Sequence, residues 1–450
     1  MRTRRPAALG LLLALSSSAA VAQAPASSPS ATTVLRAARL LDVKSGAITT
    51  NAVVIVEGDH IKAVGSGLAT PAGARVIELG NVTLLPGLID THTHLLQNYN
   101  GRMGGDDENM LNTVATMSPA ARALLGAQMA REDLEAGITA VRDVGNSGWN
   151  GDVALRDAIS RGYVVGPRMQ VSTRALSAAG GQFGSLQPAA QALIEQEYAV
   201  VSTPEEARRA VRQAFYDGAD LIKVIVNTGP RVVSLEEMKA IVEEAHRVGK
   251  RVAAHAIGDT ATRIAAEAGV NSIEHAYTVP DVVLKMMADK GIFLVATDYP
   301  AEFYVDAGNE PNMPAAQRAD RIKRASGFVT SSAERLTRAT RMGVKVAFGS
   351  DEYYNVPGYT RGQASLLTLQ AYQDAGMSPI DVIRTATLNA AELMGVSARI
   401  GTIEVGKFAD IIAVEGDPSK DVKALRNTRF VMKNGTTIPL VAPLLQVHSP

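Results

Sequence analysis

The chain has 450 residues, its 45 basic side chains are balanced by 45 acidic ones, and it contains no cysteine. The length suits one large α/β domain with a smaller companion. The balanced charge gives no general attraction to nucleic acid or an anionic membrane, which favours a small-molecule or peptide substrate. The absence of cysteine excludes disulfides, iron–sulfur clusters and thiolate metal sites.

The N-terminal segment predicts export. Residues 1–22 combine an arginine-rich start, a short apolar stretch and the cleavage pattern Ala20-Val21-Ala22, as in a signal peptide. The stretch is too short to span a bilayer, and no later run is longer, so we expect no membrane anchor and a periplasmic or secreted protein. The pattern leaves general secretion and twin-arginine export open. Residues 23–33, rich in Ala, Ser and Pro, predict a disordered leader.

Short strand patterns near both ends predict one small β domain. Residues 34–86 contain apolar runs separated by Gly and Pro, and residues 400–441 repeat this pattern. Asn434-Gly435 is a hairpin signal within the second segment. We therefore expect a β-sandwich that both ends of the chain build together.

The intervening residues, 87–399, alternate strand and helix patterns. Thr203 and Ser234 precede acidic residues, as capping residues do at helix starts. Eight strands with helical crossovers predict an α/β fold, a TIM-like (β/α)8 barrel. The strands are predicted at residues 88–92, 138–144, 168–174, 220–226, 251–257, 272–277, 292–297 and 344–350, and the helices include residues 204–216, 235–248 and 260–268.

Six polar residues follow these strand patterns and predict a metal site. Barrels place their chemistry at the carboxyl ends of the strands, so the six side chains are expected in one cleft. His92 and His94 are two residues apart on a strand, which puts both imidazoles on one face. Asp90 precedes this pair and has no predicted ligand role. The candidate ligands are His92, His94, Lys223, His255, His275 and Asp351.

Lys223 lies within the apolar run from Leu221 to Val226. An unpaired ammonium is costly to bury, so the amine is expected to be neutral and able to react with carbon dioxide. The resulting carbamate could bridge two metals. A lysine that reaches the rim, or pairs with Asp220, is the alternative. Asp351 could both bind a metal and accept a proton from water. The remaining histidines, His60, His246 and His448, are predicted to lie on the surface.

Several segments together resemble the amidohydrolase superfamily of metal-dependent hydrolases, in the branch near imidazolonepropionases and prolidase-like dipeptidases. The resemblance covers nearly the whole mature chain. The matching segments are Thr83-Leu84-Leu85-Pro86-Gly87-Leu88-Ile89-Asp90-Thr91-His92-Thr93-His94, Gly137-Ile138-Thr139-Ala140-Val141-Arg142-Asp143, Gly218-Ala219-Asp220-Leu221-Ile222-Lys223, Ser272-Ile273-Glu274-His275 and Gly406-Lys407-Phe408-Ala409-Asp410.

The resemblance implies a binuclear hydrolase that acts on amide or peptide bonds through a hydroxide held between two divalent metal ions, zinc first. It implies His92 and His94 on the more buried ion and His255 and His275 on the more exposed one. Lys223 would bridge the ions as a carbamate derived from carbon dioxide, and Asp351 would be a ligand and the catalytic proton shuttle. Assembly as a homo-oligomer is also common among such proteins.

The predicted loops carry ten of the chain's twenty aromatic residues, namely Tyr99, Trp149, Phe183, Tyr277, Tyr299, Phe303, Tyr304, Tyr353, Tyr354 and Tyr359. Aromatic walls suit a flat apolar substrate group, although tyrosines also tolerate wet loop edges. Gly180-Gly181-Gln182 and His255-Ala256-Ile257 depart from the dipeptidase pattern and make the pocket more apolar. The chain is in this respect similar to exported bacterial amidohydrolases that cleave ochratoxin. We therefore expect cleavage of an N-acyl aromatic amino acid, with ochratoxin A, split to phenylalanine and an aromatic acid, as a candidate substrate.

No substrate-binding residue is assigned from the sequence. Arg361 could pair with a substrate carboxylate or be a solvated residue at a helix start, and residues 298–327 could form a lid. A prolidase-like Xaa-Pro dipeptidase, or another dipeptidase or carboxypeptidase, is the main alternative. Lys223 disfavours a mononuclear deaminase, whereas a lactonase stays open. A periplasmic small-molecule binding protein is the alternative outside the enzymes.

Overall fold

The computed structural model describes residues 32–100, 105–307 and 313–440. The predicted signal peptide, most of the predicted leader, residue 441 and His448 lie outside these ranges. The strands, numbered in chain order, are β1 (Thr32–Leu41), β2 (Ile48–Glu57), β3 (His60–Ser66), β4 (Arg75–Glu78), β5 (Val82–Pro86), β6 (Leu88–Thr93), β7 (Ile138–Asp143), β8 (Arg168–Val171), β9 (Ala175–Ser177), β10 (Tyr198–Val200), β11 (Ile222–Ile225), β12 (Asn227–Thr228), β13 (Arg231–Val232), β14 (Val252–Ala256), β15 (Ser272–His275), β16 (Phe293–Val295), β17 (Ile411–Glu415), β18 (Thr428–Lys433) and β19 (Thr436–Ile438).

Fourteen α-helices are described in these ranges, with short 3-10 helices at Pro188–Ala190 and Val422–Arg426. The α-helices are α1 (Asp106–Thr116), α2 (Pro119–Glu135), α3 (Gly151–Ser160), α4 (Gln191–Glu197), α5 (Pro204–Tyr216), α6 (Leu235–His246), α7 (Gly258–Ala268), α8 (Asp281–Lys290), α9 (Ala301–Asp306), α10 (Ala315–Arg341), α11 (Arg361–Ser365), α12 (Leu367–Asp374), α13 (Pro379–Thr385) and α14 (Leu388–Leu393).

The predicted β domain built from both chain ends is confirmed, but it is one continuous sheet where a sandwich of two sheets was expected. Its strands form one continuous sheet in the order β19-β18-β17-β5-β1-β2-β3, with β4 beside β1. The register pairs Ile411 of β17 with Pro86 of β5, which joins the two chain ends. One face has its own apolar core, in which Val54 of β2 and Phe430 of β18 belong to the same cluster. The sheet starts at Thr32, two residues before the predicted boundary.

The predicted barrel is present, with two irregular strands. β6, β7 and β8 form one parallel sheet, and β10-β9-β11-β14-β15-β16 form another. The third barrel strand is broken: β8 pairs with β7 whereas β9 pairs with β11, and Thr173 between them has φ 59°.

The eighth predicted strand has the expected place but is not a regular strand. The Leu294 N–H donates to Lys345 O (2.9 Å), and the Thr91 N–H donates to Phe348 O (2.8 Å), so this segment links β16 to β6. It forms only an isolated bridge between Leu294 and Val346.

Two local features set the position of the histidine pair on the first barrel strand. The pairing of β6 with β7 shifts register between Asp90 and Thr93, a bulge at the predicted histidine pair. Bulges next to active sites re-aim side chains. Gly349 passes directly behind this strand: a Cβ there would lie 2.7 Å from the Cβ of His92 and 2.3 Å from Cγ1 of Val295. A residue without a side chain is therefore required at position 349.

The predicted helices are confirmed, and their starts follow capping chemistry. Thr203 Oγ1 accepts from the Glu206 N–H, and Ser234 forms a capping box with Glu237. The predicted lid stretch contains α9 and the first half of α10, and residues 308–312 lie outside the described ranges. No helix of the described residues is both long enough and apolar enough to span a membrane.

Candidate metal centre

The structure brings the six predicted site residues together at the carboxyl ends of the barrel strands. The ring of His92 lies 5.3 Å from that of His94 and 5.2 Å from that of His275, centroid to centroid. The rings of His255 and His275 are 4.6 Å apart. The remaining two groups, Lys223 and Asp351, approach the same imidazoles. Residues from five strand ends thus face one small volume.

Asp351 is the centre of this group. Its Oδ1 lies 3.4 Å from Nε2 of His92 and 3.2 Å from Nε2 of His94, and its Oδ2 lies 3.8 Å from Nδ1 of His275. The Lys223 Nζ is 3.3 Å from Nε2 of His92. A carboxylate, an amine and imidazole nitrogens at this spacing have the chemistry of a site for a divalent cation.

Each of three histidines is oriented through its other ring nitrogen. Nδ1 of His92 is 2.7 Å from the Glu274 carboxylate, and Nδ1 of His94 is 2.8 Å from the Gly145 carbonyl. A carbonyl can only accept, so Nδ1 of His94 carries a proton, and Nε2, 3.2 Å from Asp351 Oδ1, is the ring nitrogen that faces the centre. Nδ1 of His275 is 2.8 Å from Oγ1 of Thr297. Such partners fix the ring orientation of metal-binding histidines.

Burial keeps these groups in their ligand-forming states. Burial first, and then neighbouring positive groups, lowers the pKa of His92, His255 and His275 well below the usual value, which favours neutral imidazoles. Burial also lowers the pKa of Lys223 to about 8, although Glu274 and Asp351 oppose the shift.

Neighbouring positive groups, rather than burial, set the direction in which the pKa of Asp351 is shifted. Burial would raise its pKa, but His92, His94 and Lys223 outweigh burial and hold this pKa below its usual value.

The donor set fits a divalent metal. One ligand atom each from His92, His275 and Asp351 lies within 4.8 Å of the others. The alternatives for Lys223 do not hold, because its side chain is only 2% exposed and Asp220 pairs with Arg156 instead, at 2.8 Å. The amine therefore faces the histidines.

Two buried residues that the sequence analysis assigned no role support the site. Glu274 Oε2 contacts His92, and its Oε1 accepts from Arg142 Nη2 at 2.8 Å and from the Ser272 hydroxyl. Arg142 Nη1 donates to Ser272 Oγ at 3.1 Å, and its Nε donates to the Thr91 carbonyl. A charged residue inside each of the predicted strands 138–144 and 272–277 is the sequence signal that could have revealed this pair.

Both interpretations of Arg361 are wrong. It is 5% exposed, and its Nη1 donates to both carboxylate oxygens of Asp133, at 2.6 and 2.5 Å, so it is neither solvated nor free for a substrate. Asp90 has a structural role: its Oδ1 accepts from the N–H groups of His92 and Ser350, both at 3.0 Å. This carboxylate joins the first barrel strand to the eighth.

The surface assignments of His60 and His246 are confirmed. His246 Nε2 lies 2.9 Å from Asn271 Oδ1, and His60 Nδ1 lies 2.6 Å from Asp59 Oδ1. Neither histidine contacts the six residues of the site in these interactions.

Aromatic rings flank the site on two sides. Beside His94 the Tyr353 ring lies 5.8 Å away, edge-on, and packs against Tyr99 and Tyr354. Beside His275 the Tyr277 ring lies 5.9 Å away and continues to Phe328 and Tyr304. Of the other predicted loop aromatics, Phe183, Tyr299 and Phe303 are buried, whereas Trp149 and Tyr359 are exposed.

The strand ends around the site have unusual backbone conformations. Several non-glycine residues there adopt positive φ, which L-amino acids populate rarely. These residues are Asn146 (57°), Thr173 (59°), His275 (66°), Thr297 (56°) and Asp351 (55°). Such residues persist only where their surroundings hold them, and they concentrate at functional sites.

Several known proteins are similar to this chain in sequence and in fold. An ochratoxinase from Aspergillus niger is 31% identical over 377 residues, covering 77% of this chain and 73% of that protein. Its crystal structure has a TM-score of 0.75 at 28% identity, covering 91% of this chain and 96% of that one.

A crystal structure of a Xaa-Pro dipeptidase with bound methionine has a TM-score of 0.76 at 28% identity, covering 91% of this chain and all of that one. An imidazolonepropionase from Fusobacterium nucleatum is 24% identical over 441 residues, covering 87% of this chain and 92% of that protein. The amidohydrolase family model matches residues 83–438. The chain therefore belongs to the amidohydrolase family.

Proposed function

We propose that the protein is a binuclear amidohydrolase that cleaves the amide bond of N-acyl aromatic amino acids, with ochratoxin A as a candidate substrate. The observation that carries the proposal is the position of Asp351, whose Oδ1 lies within 3.4 Å of the Nε2 atoms of His92 and His94. The ochratoxinase relative and the aromatic rings on both sides of the centre support this substrate class.

Two divalent cations, zinc first, would be held by His92, His94, Lys223, His255, His275 and Asp351. When bound, they would lower the pKa of water and polarise the scissile carbonyl. The buried Lys223 amine, whose pKa is lowered to about 8, would attack carbon dioxide. A nitrogen–carbon bond would form, one proton would leave the nitrogen, and the carbamate would supply two oxygen atoms as ligands.

The chain's own residues would orient the reaction and move its proton. Asp351 would accept a proton from the attacking water and return it to the departing amine nitrogen. Glu274 and Gly145 would keep the lone pairs of His92 and His94 directed at the centre. Tyr353 and Tyr277, one on each side, would hold apolar groups of the substrate and exclude water.

A dipeptidase is the second candidate, and Asp106 favours it. The Tyr353 hydroxyl donates to Asp106 Oδ2 at 3.4 Å, and the Tyr354 hydroxyl donates to Oδ1. Because the Tyr353 ring also contacts His94, this exposed carboxylate lies one ring away from the centre. A free ammonium at the amino end of a dipeptide would pair with it, whereas an N-acyl group could not.

A hydrolysis panel with metal analysis tests both candidates. N-aroyl-phenylalanine, Xaa-Pro and Xaa-Phe dipeptides and an aryl lactone would be compared, with Asp351→Asn as the inactive control. We expect about two metal ions per chain and at least about tenfold higher kcat/KM for the N-aroyl amide. A preference for Xaa-Pro would support the dipeptidase instead. If the protein is isolated without metal and binds these substrates without hydrolysing them, both the amidohydrolase and the dipeptidase proposals are contradicted.

We further propose that the protein is exported through residues 1–22 and assembles as a homo-oligomer. Mass spectrometry of the protein recovered from a periplasmic fraction would give the mature N-terminus, which we expect at Gln23. Light scattering would give the assembly mass. A retained Met1 would contradict export, and a monomer mass would contradict assembly.

A further inference from the structure

Every arginine that is buried among the described residues lies beside the candidate metal centre. Each one pairs with a carboxylate that is itself buried, between 0 and 5% exposed. The pairs are Arg122 with Glu197, Arg142 with Glu274, Arg335 with Asp298 and Arg361 with Asp133. Arginine is rarely buried, so four such pairs around one site require a common reason.

The arginines share a second contact, a hydrogen bond to a main-chain carbonyl at a strand end of the centre. One accepting carbonyl belongs to a predicted ligand and two belong to residues next to a ligand. The fourth belongs to the residue after Gly145, which contacts a ligand. Arg142 donates to Thr91 before His92, Arg361 to Glu352 after Asp351 (2.7 Å), Arg335 to His275 itself, and Arg122 to Asn146, which follows the Gly145 that orients His94.

Guanidinium chemistry explains why arginine occupies these positions. In each pair one nitrogen of the planar group bonds the carboxylate and a different nitrogen of the same group bonds the carbonyl, a fixed arrangement that a lysine ammonium cannot reproduce. The carboxylate compensates the buried positive charge and holds the guanidinium group in one orientation. Three of the tethered segments contain residues with positive φ, Asn146, His275 and Asp351, and such backbone persists only where its surroundings hold it.

We propose that Arg122, Arg142, Arg335 and Arg361 are positioning residues that hold the strand ends in the conformations that present the metal ligands. The inference rests on the proposed metal binding at this centre, and it adds a role for charged groups that touch neither metal nor substrate.

Arg335 allows the sharpest test, because it lies on a helix that carries no predicted ligand. It projects from α10, binds both oxygens of Asp298 at 2.6 and 2.5 Å, and donates to the His275 carbonyl. Its guanidinium carbon also lies 4.8 Å from the centre of the Tyr277 ring. One side chain thus ties the sixth barrel strand to the segment after the seventh.

The experiment replaces both members of the pair, Arg335→Leu with Asp298→Asn, so that no unpaired charge is left buried. The matched control is Arg168→Leu with Asp410→Asn. Arg168 begins β8 and contacts Asp410 at 3.3 Å at the opposite end of the barrel. A second test pair, Arg361→Leu with Asp133→Asn, covers the segment after Asp351.

Two readouts besides activity separate positioning from stability. Cobalt titration of the metal-free proteins gives the metal affinity, and hydrogen exchange reports the backbone at residues 275–279 and 351–354. We expect each test pair to weaken cobalt binding about 10–100-fold and to speed exchange in its own segment. The control should lower Tm but leave cobalt affinity within about twofold of wild type.

Test variants that fold, bind cobalt as wild type does and show unchanged exchange would overturn the proposal. Equal losses in the control would also overturn it, because the effect would then be general destabilisation. Wild-type protein that binds no cobalt would refute the proposed metal centre instead, and the exchange comparison would still decide whether the arginines hold these segments.

Discussion

The two ends of the barrel are built on different principles. At the amino end the small β domain closes the barrel with ordinary contacts: the Gly87 N–H donates to Asp410 O at 2.9 Å, and Ile412 shares one apolar core with Leu88 and Ile138. At the carboxyl end lie buried charges, neutral histidines and residues with positive φ. The amino end thus contributes stability, whereas the carboxyl end retains costly groups for chemistry. Substitutions at the amino end should therefore change stability, and substitutions at the carboxyl end should change activity.

Asp351→Asn should give the largest effect at the carboxyl end. The amide keeps the shape of the side chain but cannot accept a proton, so turnover should fall by about 10²–10⁴-fold. Thermal unfolding should show an unchanged or lower Tm, since His92, His94 and Lys223 more than offset the burial of this charge. Steady-state kinetics beside calorimetry would check this. Normal turnover would remove Asp351 from the mechanism.

Lys223→Ala should abolish most activity and reduce metal occupancy. Acetate or propionate should restore part of both, because a small carboxylate can replace the lost carbamate oxygens. Metal content and rate would be measured together across the acid concentration. Full activity without added acid would contradict a bridging role for Lys223.

Ile412→Ala should show the opposite pattern, at the amino end. Ile412 is fully buried beneath the barrel, and truncation to alanine should cost about 2–5 kcal/mol of unfolding free energy. At a temperature where the variant is folded, kcat and metal content should match wild type. Denaturant unfolding and kinetics on the same samples would show this. A large loss of kcat would mean that the two ends are coupled.

The pH dependence of carbon dioxide uptake should identify the buried amine. Because burial lowers the pKa of Lys223 to about 8, the neutral amine predominates above that pH. At a constant concentration of dissolved carbon dioxide and with added metal, reactivation of metal-free protein should therefore rise about tenfold per pH unit below 8 and level off above it. Reactivation that keeps rising toward pH 10 would indicate an ordinary, solvated lysine.

Asp106→Asn should give the smallest effect and sharpen the substrate assignment. An exposed ion pair is worth about 0.2–1 kcal/mol, so activity on dipeptides with a free ammonium should fall by up to about fivefold. Activity on N-acyl substrates should stay the same or rise. Tyr359→Phe, at an exposed tyrosine, is a control. An equal loss on both substrate classes would exclude ammonium recognition.

Much of this architecture could be predicted from the sequence, because strand ends in a parallel barrel converge. The apolar runs before His92, His255 and His275 were sufficient to place these side chains at one rim. The eighth strand was predicted as regular, but Phe348 bonds to Thr91 rather than completing a ladder, and no local pattern reports such long-range pairing.

Arg361 shows why the remaining features could not be read from sequence. Its partner Asp133 is 228 residues away in the chain, and a charged residue at a helix start has the same local pattern whether it is buried or solvated. Glu274 and Arg142 lie inside motifs that the sequence analysis used, but their contact becomes visible only when β7 and β15 are placed around the same barrel.

The close approach at Gly349 has a consequence for engineering. Even the smallest side chain at this position, the methyl group of alanine, would approach His92 and Val295 more closely than real Cβ atoms do. Directed evolution toward new substrates should therefore keep this codon fixed and place its diversity on the aromatic rings around the site, for example at the exposed Phe328. A library that randomises position 349 would consist largely of clones in which the first histidine is displaced.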